Sequence, residues 1–265
     1  MLNISGLTKT FEDGTTAFKD VSLSVDPGEF VVILGPSGSG KTTLLRSING
    51  LVTPTTGEVM VGGQRVGPGN LRQIRQQAGM VFQHFNLVGN LSALNNVLTG
   101  LLHSNGDIAS LFYLFKREQK MRALESLDQV GMLAKAYIRA DKLSGGQQQR
   151  VGIARAMVSR PKILLADEPV ASLDPLTAFN ILSLLKEVSA AEGITVICSL
   201  HQVDFALRFA ERIVGLARGG IVMDKPTGEV DEAYIHNIYR NHDEGMFFGP
   251  ESTDGYHGPN VRLAG

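Results

Sequence analysis

Short apolar runs dominate the hydrophobic pattern of this chain. Stretches such as FVVIL and ITVIC stay apolar for a whole strand length, which is typical of strands covered on both faces in an α/β sheet. On this basis strands are predicted at about 2–7, 21–25, 29–34, 57–61, 78–82, 162–167, 194–200 and 212–217. Helical periodicity predicts helices at about 41–49, 92–102, 116–130, 146–159, 176–192 and 202–210.

The order of these elements predicts the architecture. From residue 162 strands alternate with helices, which favours parallel strands joined by crossover helices. Turn residues early in the chain, DG, PG and GG, favour antiparallel β structure there. Residues 86–140 contain helical patterns and no convincing strand, so we expect a helical insertion at about 86–160, including the helix at 146–159. The predicted fold is α/β, with a mixed sheet core, an antiparallel β subdomain and a helical insertion subdomain.

The C-terminal part changes character near residue 240. The segment DEAYIHNIYR places Tyr234, Ile235, Ile238 and Tyr239 on one helical face, which predicts a packed terminal helix. Residues 241–265 are rich in Gly, Pro and polar residues without any period, and we expect a weakly ordered tail.

Composition narrows the possible partners and compartments. The net charge of −1 predicts no nucleic-acid partner. The single cysteine, Cys198, cannot form an internal disulfide, which favours a reducing compartment, and its place in an apolar strand predicts a small buried side chain. The N-terminus lacks the pattern of a secretory signal, and the apolar runs are too short to span a bilayer. If the protein works at a membrane, another chain must hold it there.

The clearest chemical pattern is a glycine-rich loop between a predicted strand and a predicted helix. It fits G-x-x-x-x-G-K-[ST] from Gly35 to Thr42, whose backbone N–H groups cradle phosphates. The glycines allow the backbone to approach the phosphates closely, and the start of the helix favours negative charge. Lys41 adds a positive charge near the β- and γ-phosphates. The Thr42 hydroxyl can ligate Mg²⁺. The predicted nucleotide-binding residues here are Gly35, Pro36, Ser37, Gly38, Ser39, Gly40, Lys41, Thr42 and Thr43.

Acidic and imidazole side chains follow two of the later strands. Asp167 and Glu168 end the run KILLADEP, at the carboxyl end of a strand, where α/β sheets bind ligands. Because neighbouring strand residues point in opposite directions, we expect Asp167 to face Mg²⁺ and Glu168 to act as general base on a water. His201 follows ITVICSL at the same expected edge and is predicted to contact the γ-phosphate.

Together these residues resemble the nucleotide-binding subunits of ATP-binding cassette (ABC) transporters. GPSGSGKT is similar to the family's phosphate loop, ILLADEP to its acidic strand, and ASLDP at 171–175 to the loop that follows. LSGGQ at 143–147 resembles the family signature and is the most specific of these motifs. The resemblance covers residues 1–240 and implies one P-loop NTPase domain of the ABC type, with ATP and Mg²⁺ as ligands.

The resemblance also implies roles for single residues. Gln83, in VFQHFNL, matches the glutamine that links the nucleotide site to the helical insertion, and would join Thr42 and Asp167 around Mg²⁺. His201 matches the switch histidine. Phe11 falls where the family stacks an aromatic ring on adenine, with Phe18 as the alternative.

The signature motif implies a working dimer. In the family two cassettes associate head to tail, and the signature helix of one points its N-terminus at the γ-phosphate held by the other. The residues expected to act on the partner's ATP are Ser144, Gly145, Gly146, Gln147 and Asp174. The implied partners are a second copy, membrane permease subunits and, indirectly, a substrate-binding protein. The implied location is peripheral, on the cytoplasmic face of the plasma membrane.

Several stretches resemble one subfamily in particular, the ATP-binding subunits of phosphonate importers. They include FQHFNLVGNLSALNNVLTGLL, LADEPVASLDP and LHQVDFALRFAERIVGL, and phosphite importers have very similar subunits. Two alternative functions would require the same nucleotide-binding residues: the ATPase of an importer of another small solute, and an ATP-gated regulator. A P-loop kinase is disfavoured because it has no use for LSGGQ. The aromatic run SLFYLF, at 110–115, is predicted to pack in the core of the helical subdomain.

Overall fold

The computed structural model of the chain describes residues 1–104, 115–231, 235 and 239. The strands within these residues are Leu2–Thr10 (β1), Thr16–Val25 (β2), Phe30–Leu34 (β3), Thr56–Val61 (β4), Gln64–Arg65 (β5), Ala78–Val81 (β6), Ile163–Asp167 (β7), Thr195–Leu200 (β8), Arg212–Ala217 (β9) and Gly220–Pro226 (β10). The α-helices there are Lys41–Ile48 (α1), Leu71–Gln77 (α2), Ala93–Leu98 (α3), Arg117–Gln129 (α4), Gly145–Met157 (α5), Pro175–Glu192 (α6) and Val203–Phe209 (α7).

The strands form two sheets. The larger has the order β10-β9-β3-β8-β7-β6 and is parallel except for the antiparallel β9–β10 hairpin. The smaller, β2-β1-β4-β5, is antiparallel throughout. The predicted mixed sheet core and antiparallel β subdomain are therefore confirmed.

The register of the large sheet positions the chemistry. Leu34, the last residue of β3, pairs with Leu200 of β8, and Asp167 of β7 pairs with Ser199 of β8. Three parallel strands thus end at one edge, and the segments that follow them carry Gly35, Glu168 and His201. This is the edge at which open α/β sheets bind ligands.

The packing of strand β3 explains why its sequence is continuously apolar. Phe30, Val32 and Leu34 pack into a cluster with the helices, whereas Val31 and Ile33 pack into a second cluster with the small sheet. Each face of the strand meets a separate core, so alternation in the sequence is lost. Cys198 on β8 is completely buried in the helix-facing cluster, as predicted, and burial raises the pKa of its thiol.

The predicted strands and helices are all present within a few residues of their expected bounds. Among the described residues, three further strands and α-helices were not predicted: the short strand β5, helix α2 and strand β10. Helix α2 reads LRQIRQQ and buries only Ile74, so no apolar stripe marks it. Strand β10 has Met223 as its one buried residue and carries little alternation.

The helical subdomain is built from α3, α4 and α5, which contact one another. Of the aromatic run at 110–115 only Phe115 is among the described residues, and it is buried in the helix-facing core. Ile235 and Tyr239 are helical and also contact this core, while Tyr234, Ile238 and the tail at 241–265 lie outside the described residues. None of the described helices has the length and apolarity needed to cross a bilayer.

Candidate nucleotide site

The phosphate loop connects β3 to α1 and is held tightly against the small sheet. Gly40, at the start of α1, has φ of 101°, and a Cβ there would lie 2.4 Å from the carbonyl oxygen of Ala17. A side chain is excluded both by conformation and by space. The loop and the start of α1 therefore sit directly beside the β1–β2 hairpin.

Lys41 is buried at the base of this loop. Its Nζ donates hydrogen bonds to the carbonyl oxygens of Gly35, over 2.7 Å, and Pro36, over 2.9 Å. Burial lowers the pKa of the Lys41 ammonium, while the charges of Glu168 and Asp167 act in the opposite direction. The loop thus contains a cation whose attraction for phosphate is weakly screened.

A cavity of about 300 Å³ lies over the loop. It is lined by hairpin residues 15–17, loop residues 37–43, and the side chains of Glu168 and His201. Residues from four separate parts of the sequence thus share one concave surface beside the N-terminus of α1, where backbone N–H groups favour an anion.

Asp167 is the last residue of β7 and is almost completely buried. Its Oδ1 accepts hydrogen bonds from Thr42 Oγ1, over 2.8 Å, and from Ser199 Oγ, over 3.2 Å. The carboxylate and the threonine hydroxyl are oxygen ligands of the kind that Mg²⁺ takes alongside substrate phosphates.

Glu168 follows the strand in a left-handed conformation, with φ of 46°. Its backbone N–H donates to Ser199 Oγ over 2.9 Å, and its Oε1 is hydrogen-bonded to Nε2 of His201. We expected strand alternation to point Asp167 and Glu168 in opposite directions. That reason is wrong, because β7 ends at Asp167 and the left-handed backbone of Glu168 sets the direction of its side chain. Such conformations in non-glycine residues are uncommon and cluster at active sites.

These residues fit a nucleotide with Mg²⁺. The Ser39 hydroxyl, buried within the loop, has no hydrogen-bond partner among the described residues, so it is left to bond a ligand. No group of three or more His, Cys, Asp or Glu residues in the described part of the chain could hold a metal by itself. The Thr42 hydroxyl and the Asp167 carboxylate suit Mg²⁺, which is commonly held by one or two protein groups and the phosphates.

The loop after β6 carries Gln83 at the same edge, one strand beyond Asp167. Gln83 is half-buried and makes no hydrogen bond to Thr42 or Asp167 within the described structure. Phe85 and Asn86, just beyond it, both have positive φ, and their carbonyl oxygens accept hydrogen bonds from Arg155 of α5. The Gln83 loop is thus fastened to the helix that begins with the LSGGQ motif.

The signature motif forms the N-terminus of α5, away from the cavity. Ser144 is the exposed N-cap, and its backbone N–H donates to Gln147 Oε1 over 3.2 Å. A Cβ on Gly146 would lie 2.5 Å from Cγ2 of Thr177 on α6. Asp174 caps α6 by accepting from the N–H of Thr177 over 3.0 Å, and these hydrogen bonds lower the pKa of its carboxyl.

The two candidate aromatic residues differ in exposure. Phe18 is completely buried in the core beneath the small sheet, so it cannot reach a base. Phe11 lies in the β1–β2 turn, is 40% exposed, and has Nζ of Lys9 5.0 Å from its ring centroid. Of these two rings only Phe11 presents a surface to solvent.

Three residues at the site were not identified from the sequence. Ser199 is the polar residue that interrupts the apolar run ITVICSL, which was the available clue. For Arg155 the sequence offered no signal beyond its place in a helix with small neighbours. Tyr239, assigned only to an apolar helical face, brings its hydroxyl to Gly35 and His201.

Comparison with known proteins gives consistent matches. A family model described as ABC transporter matches residues 18–171. The chain is 52% identical over 239 residues to the phosphonates import ATP-binding protein of Thiobacillus denitrificans (90% of this chain, 92% of that protein). It is 50% identical over 240 residues to the phosphite import ATP-binding protein of Stutzerimonas stutzeri (90% and 87%). Its fold resembles the dimeric post-hydrolysis ATP-binding cassette MJ0796 bound to ADP and Pi, with a TM-score of 0.75 and 38% identity over 86% of this chain and 99% of that chain.

Proposed function

The chain belongs to the ABC transporter family, and we propose that it hydrolyses ATP to energise an importer of phosphonates or related phosphorus oxyanions. One observation supports the ATPase assignment above all. The loop that contains Lys41 lies at the same sheet edge as the Thr42–Asp167 and Glu168–His201 pairs. The substrate class is supported by similarity, over nine-tenths of the chain, to proteins named for phosphonate and phosphite import.

The phosphate loop binds the triphosphate. Backbone N–H groups of residues 37–43, at the N-terminus of α1, surround the phosphates, and Lys41 exchanges its carbonyl partners for phosphate oxygens. Ser39 gains the hydrogen-bond partner that it lacks within the chain. Phe11 stacks on the adenine, an assignment supported by its exposure and by the burial of Phe18.

The residues that would hold Mg²⁺ are Thr42, Asp167 and Gln83. When bound, the ion would neutralise charge on the β- and γ-phosphates. Asp167 and Thr42 are already joined by a hydrogen bond, so their oxygens converge on one place. Ser199 donates a second hydrogen bond to the same carboxylate oxygen of Asp167.

Glu168 and His201 act on hydrolysis. Glu168 accepts a proton from water while the water oxygen bonds to the γ-phosphorus, and the bond from that phosphorus to the β–γ bridging oxygen breaks. ADP and phosphate are the products. His201, hydrogen-bonded to Glu168 before reaction, orients this carboxylate and contacts the γ-phosphate. A well-placed general base contributes about 10²- to 10⁴-fold to the rate.

A second copy of the chain completes the site. Ser144–Gln147 form the start of α5, where Ser144 is exposed and the other three are partly buried, and none of them lines the phosphate cavity of its own chain. In a two-fold dimer this helix start faces the γ-phosphate held by the partner, and Asp174 lies at the same interface. The dimeric form of a similar cassette supports this arrangement.

The movement that closes the dimer is transmitted to a membrane permease through the Gln83 loop and the helical subdomain. ATP drives closure because it binds the closed dimer better than the open one. A substrate-binding protein delivers the solute to the permease, and the chain itself is a peripheral subunit at the cytoplasmic face of the membrane. The fastening of the Gln83 loop to α5 supports a rigid connection.

The experiment is an ATPase and uptake assay with the chain reconstituted with its permease in liposomes. A substrate-binding protein loaded with methylphosphonate or phosphite is expected to stimulate ATP hydrolysis and uptake above the unloaded binding protein. Complexes carrying Glu168→Gln serve as the control that removes hydrolysis. Stimulation by an unrelated solute alone would overturn the proposed substrate class, and ATP-dependent dimerisation without any permease response would favour a regulator.

A further inference from the structure

The hydroxyl of Tyr239 joins two parts of the nucleotide site from behind. It accepts a hydrogen bond from the backbone N–H of Gly35 over 3.1 Å and donates one to the carbonyl oxygen of His201 over 3.4 Å. Gly35 begins the phosphate loop after β3, and His201 follows β8. One side-chain atom near the C-terminal end of the described structure therefore spans the ends of two neighbouring strands.

The surroundings of Tyr239 keep this hydroxyl in place. Its ring packs against the helix-facing core, and Ile235, four residues earlier, is completely buried in the same core. Burial raises the pKa of the Tyr239 phenol, so the hydroxyl stays protonated and can donate and accept at once. Two anchored residues on one helical face thus hold the segment on the sheet edge.

Gly35 and His201, the two residues bonded to the hydroxyl, are themselves hydrogen-bonded to Lys41 and Glu168 of the nucleotide site. The carbonyl oxygen of Gly35 accepts from Lys41 Nζ, so the backbone of Gly35 is held from two directions. The side chain of His201 is hydrogen-bonded to Glu168. Through these hydrogen bonds the Tyr239 hydroxyl connects the phosphate loop with the segment that carries the Glu168–His201 pair.

We propose that Tyr239 is a positioning residue that fixes the phosphate loop relative to the His201 segment for the hydrolysis step. The inference rests on the proposed ATPase function and deepens it. Gly35 also has the β3 backbone to hold it, through the pairing of Leu34 with Leu200 and Gly215. His201 lies beyond the last paired residue of β8, so loss of the hydroxyl affects His201 more than the loop.

The test is Tyr239→Phe in the full-length chain, which removes the hydroxyl and keeps the ring. We expect kcat to fall about 3- to 10-fold, the effect of losing one hydrogen bond that positions the His201 backbone. We expect KM for ATP to stay within about twofold, because the phosphate-binding amides remain. ATP affinity is measured separately in the Glu168→Gln background, where bound ATP is not consumed, and is also expected to be unchanged.

Two control variants separate positioning from loosened packing. Ile235→Val removes one methylene group, which leaves most of the buried contact of Ile235 and the whole of Tyr239 in place, and Tyr137→Phe removes a hydroxyl from a side chain that is 77% exposed in the helical subdomain. Both are expected to keep the wild-type kcat. An unchanged kcat in Tyr239→Phe, or an equal loss in Ile235→Val, would overturn the positioning role while leaving ATPase function intact. Absence of ATPase activity in the wild-type dimer would instead overturn the proposed function.

Discussion

The guanidinium of Arg155 donates a hydrogen bond to the carbonyl oxygen of Phe85 over 2.8 Å, and a second to that of Asn86 over 2.5 Å. Arg155 lies on α5, the helix that begins with the signature motif, and the two acceptors lie just after Gln83. Burial lowers the pKa of the Arg155 guanidinium. One side chain thus connects the loop expected to sense the nucleotide with the helix expected to contact the partner's ATP.

Replacing Arg155 by Gln is expected to uncouple these two parts. The carbonyl groups of Phe85 and Asn86, held at positive φ, would lose their donors, and the loop would open more easily. ATP binding should stay normal, while stimulation of ATPase activity by the permease falls. Hydrogen exchange of residues 83–88 measures the loosening.

Arg150→Gln is the matched control for that variant. Arg150 lies on the same helix, but its guanidinium donates to the carbonyl oxygen of Val130, away from the Gln83 loop. It should lower stability without affecting the coupling. Full permease stimulation in Arg155→Gln would exclude the proposed role of the arginine.

Glu168→Gln tests the general base. The amide keeps the shape of the side chain but cannot accept the proton from water, so hydrolysis is expected to fall about 10²- to 10⁴-fold. ATP binding should persist, and size-exclusion chromatography should show an ATP-bound dimer accumulating. Near-normal turnover would remove Glu168 from this role.

Ser199→Ala tests the support of the two acids. The hydroxyl accepts from the Glu168 N–H and donates to Asp167, and its loss leaves a buried donor unsatisfied, at a cost of about 1–3 kcal/mol. We expect reduced thermal stability together with a higher Mg²⁺ requirement and a lower kcat. Ser189→Ala, which removes a buried hydroxyl bonded to Ile194 far from the site, should lower stability alone. Equal kinetics in the two variants would argue against a role for Ser199 in catalysis.

Gly146→Ala tests packing behind the signature motif. The new Cβ would meet Cγ2 of Thr177 at 2.5 Å, and such overpacking costs about 1–3 kcal/mol and displaces the start of α5. We expect lower thermal stability and weaker ATP-dependent dimerisation. Adding Thr177→Ser removes the opposing methyl group and should restore both. A double variant no better than the single one would show that the contact does not explain the glycine.

The sequence predicts the sheet better than the site details. Continuous apolar runs such as β3 and β8 identify buried parallel strands because both faces meet a core, and the register of those strands then brings Lys41, Asp167 and His201 to one edge. Helix α2 and strand β10 escaped prediction because tertiary contacts, not an apolar pattern, maintain them. Glu168 was assigned its role from its place at the end of a strand and from strand alternation, but its orientation depends on a left-handed backbone that no pattern reveals.

The long-range hydrogen bonds were also invisible in the sequence. Tyr239 is 204 residues from Gly35, and Arg155 is 70 residues from Phe85. Gly146 is a further example, since the motif explains it by close approach to a partner's phosphate, and the fold adds close packing against Thr177 within the chain. Spacing predicts what lies within one element, whereas contacts between distant elements depend on the register of the sheet.

Each ATP site is expected to be shared by two copies of the chain, and mixing two inactive variants tests this sharing. Lys41→Ala disables the phosphate loop, and Ser144→Arg blocks the signature helix start. In a head-to-tail mixed dimer one site holds both defects and the other is intact. Equal mixing is expected to restore ATPase activity to about a quarter of the wild-type level, because half of the dimers are mixed and one of their two sites works. Activity no higher than that of the separate variants, with mixed dimers present, would contradict a shared site.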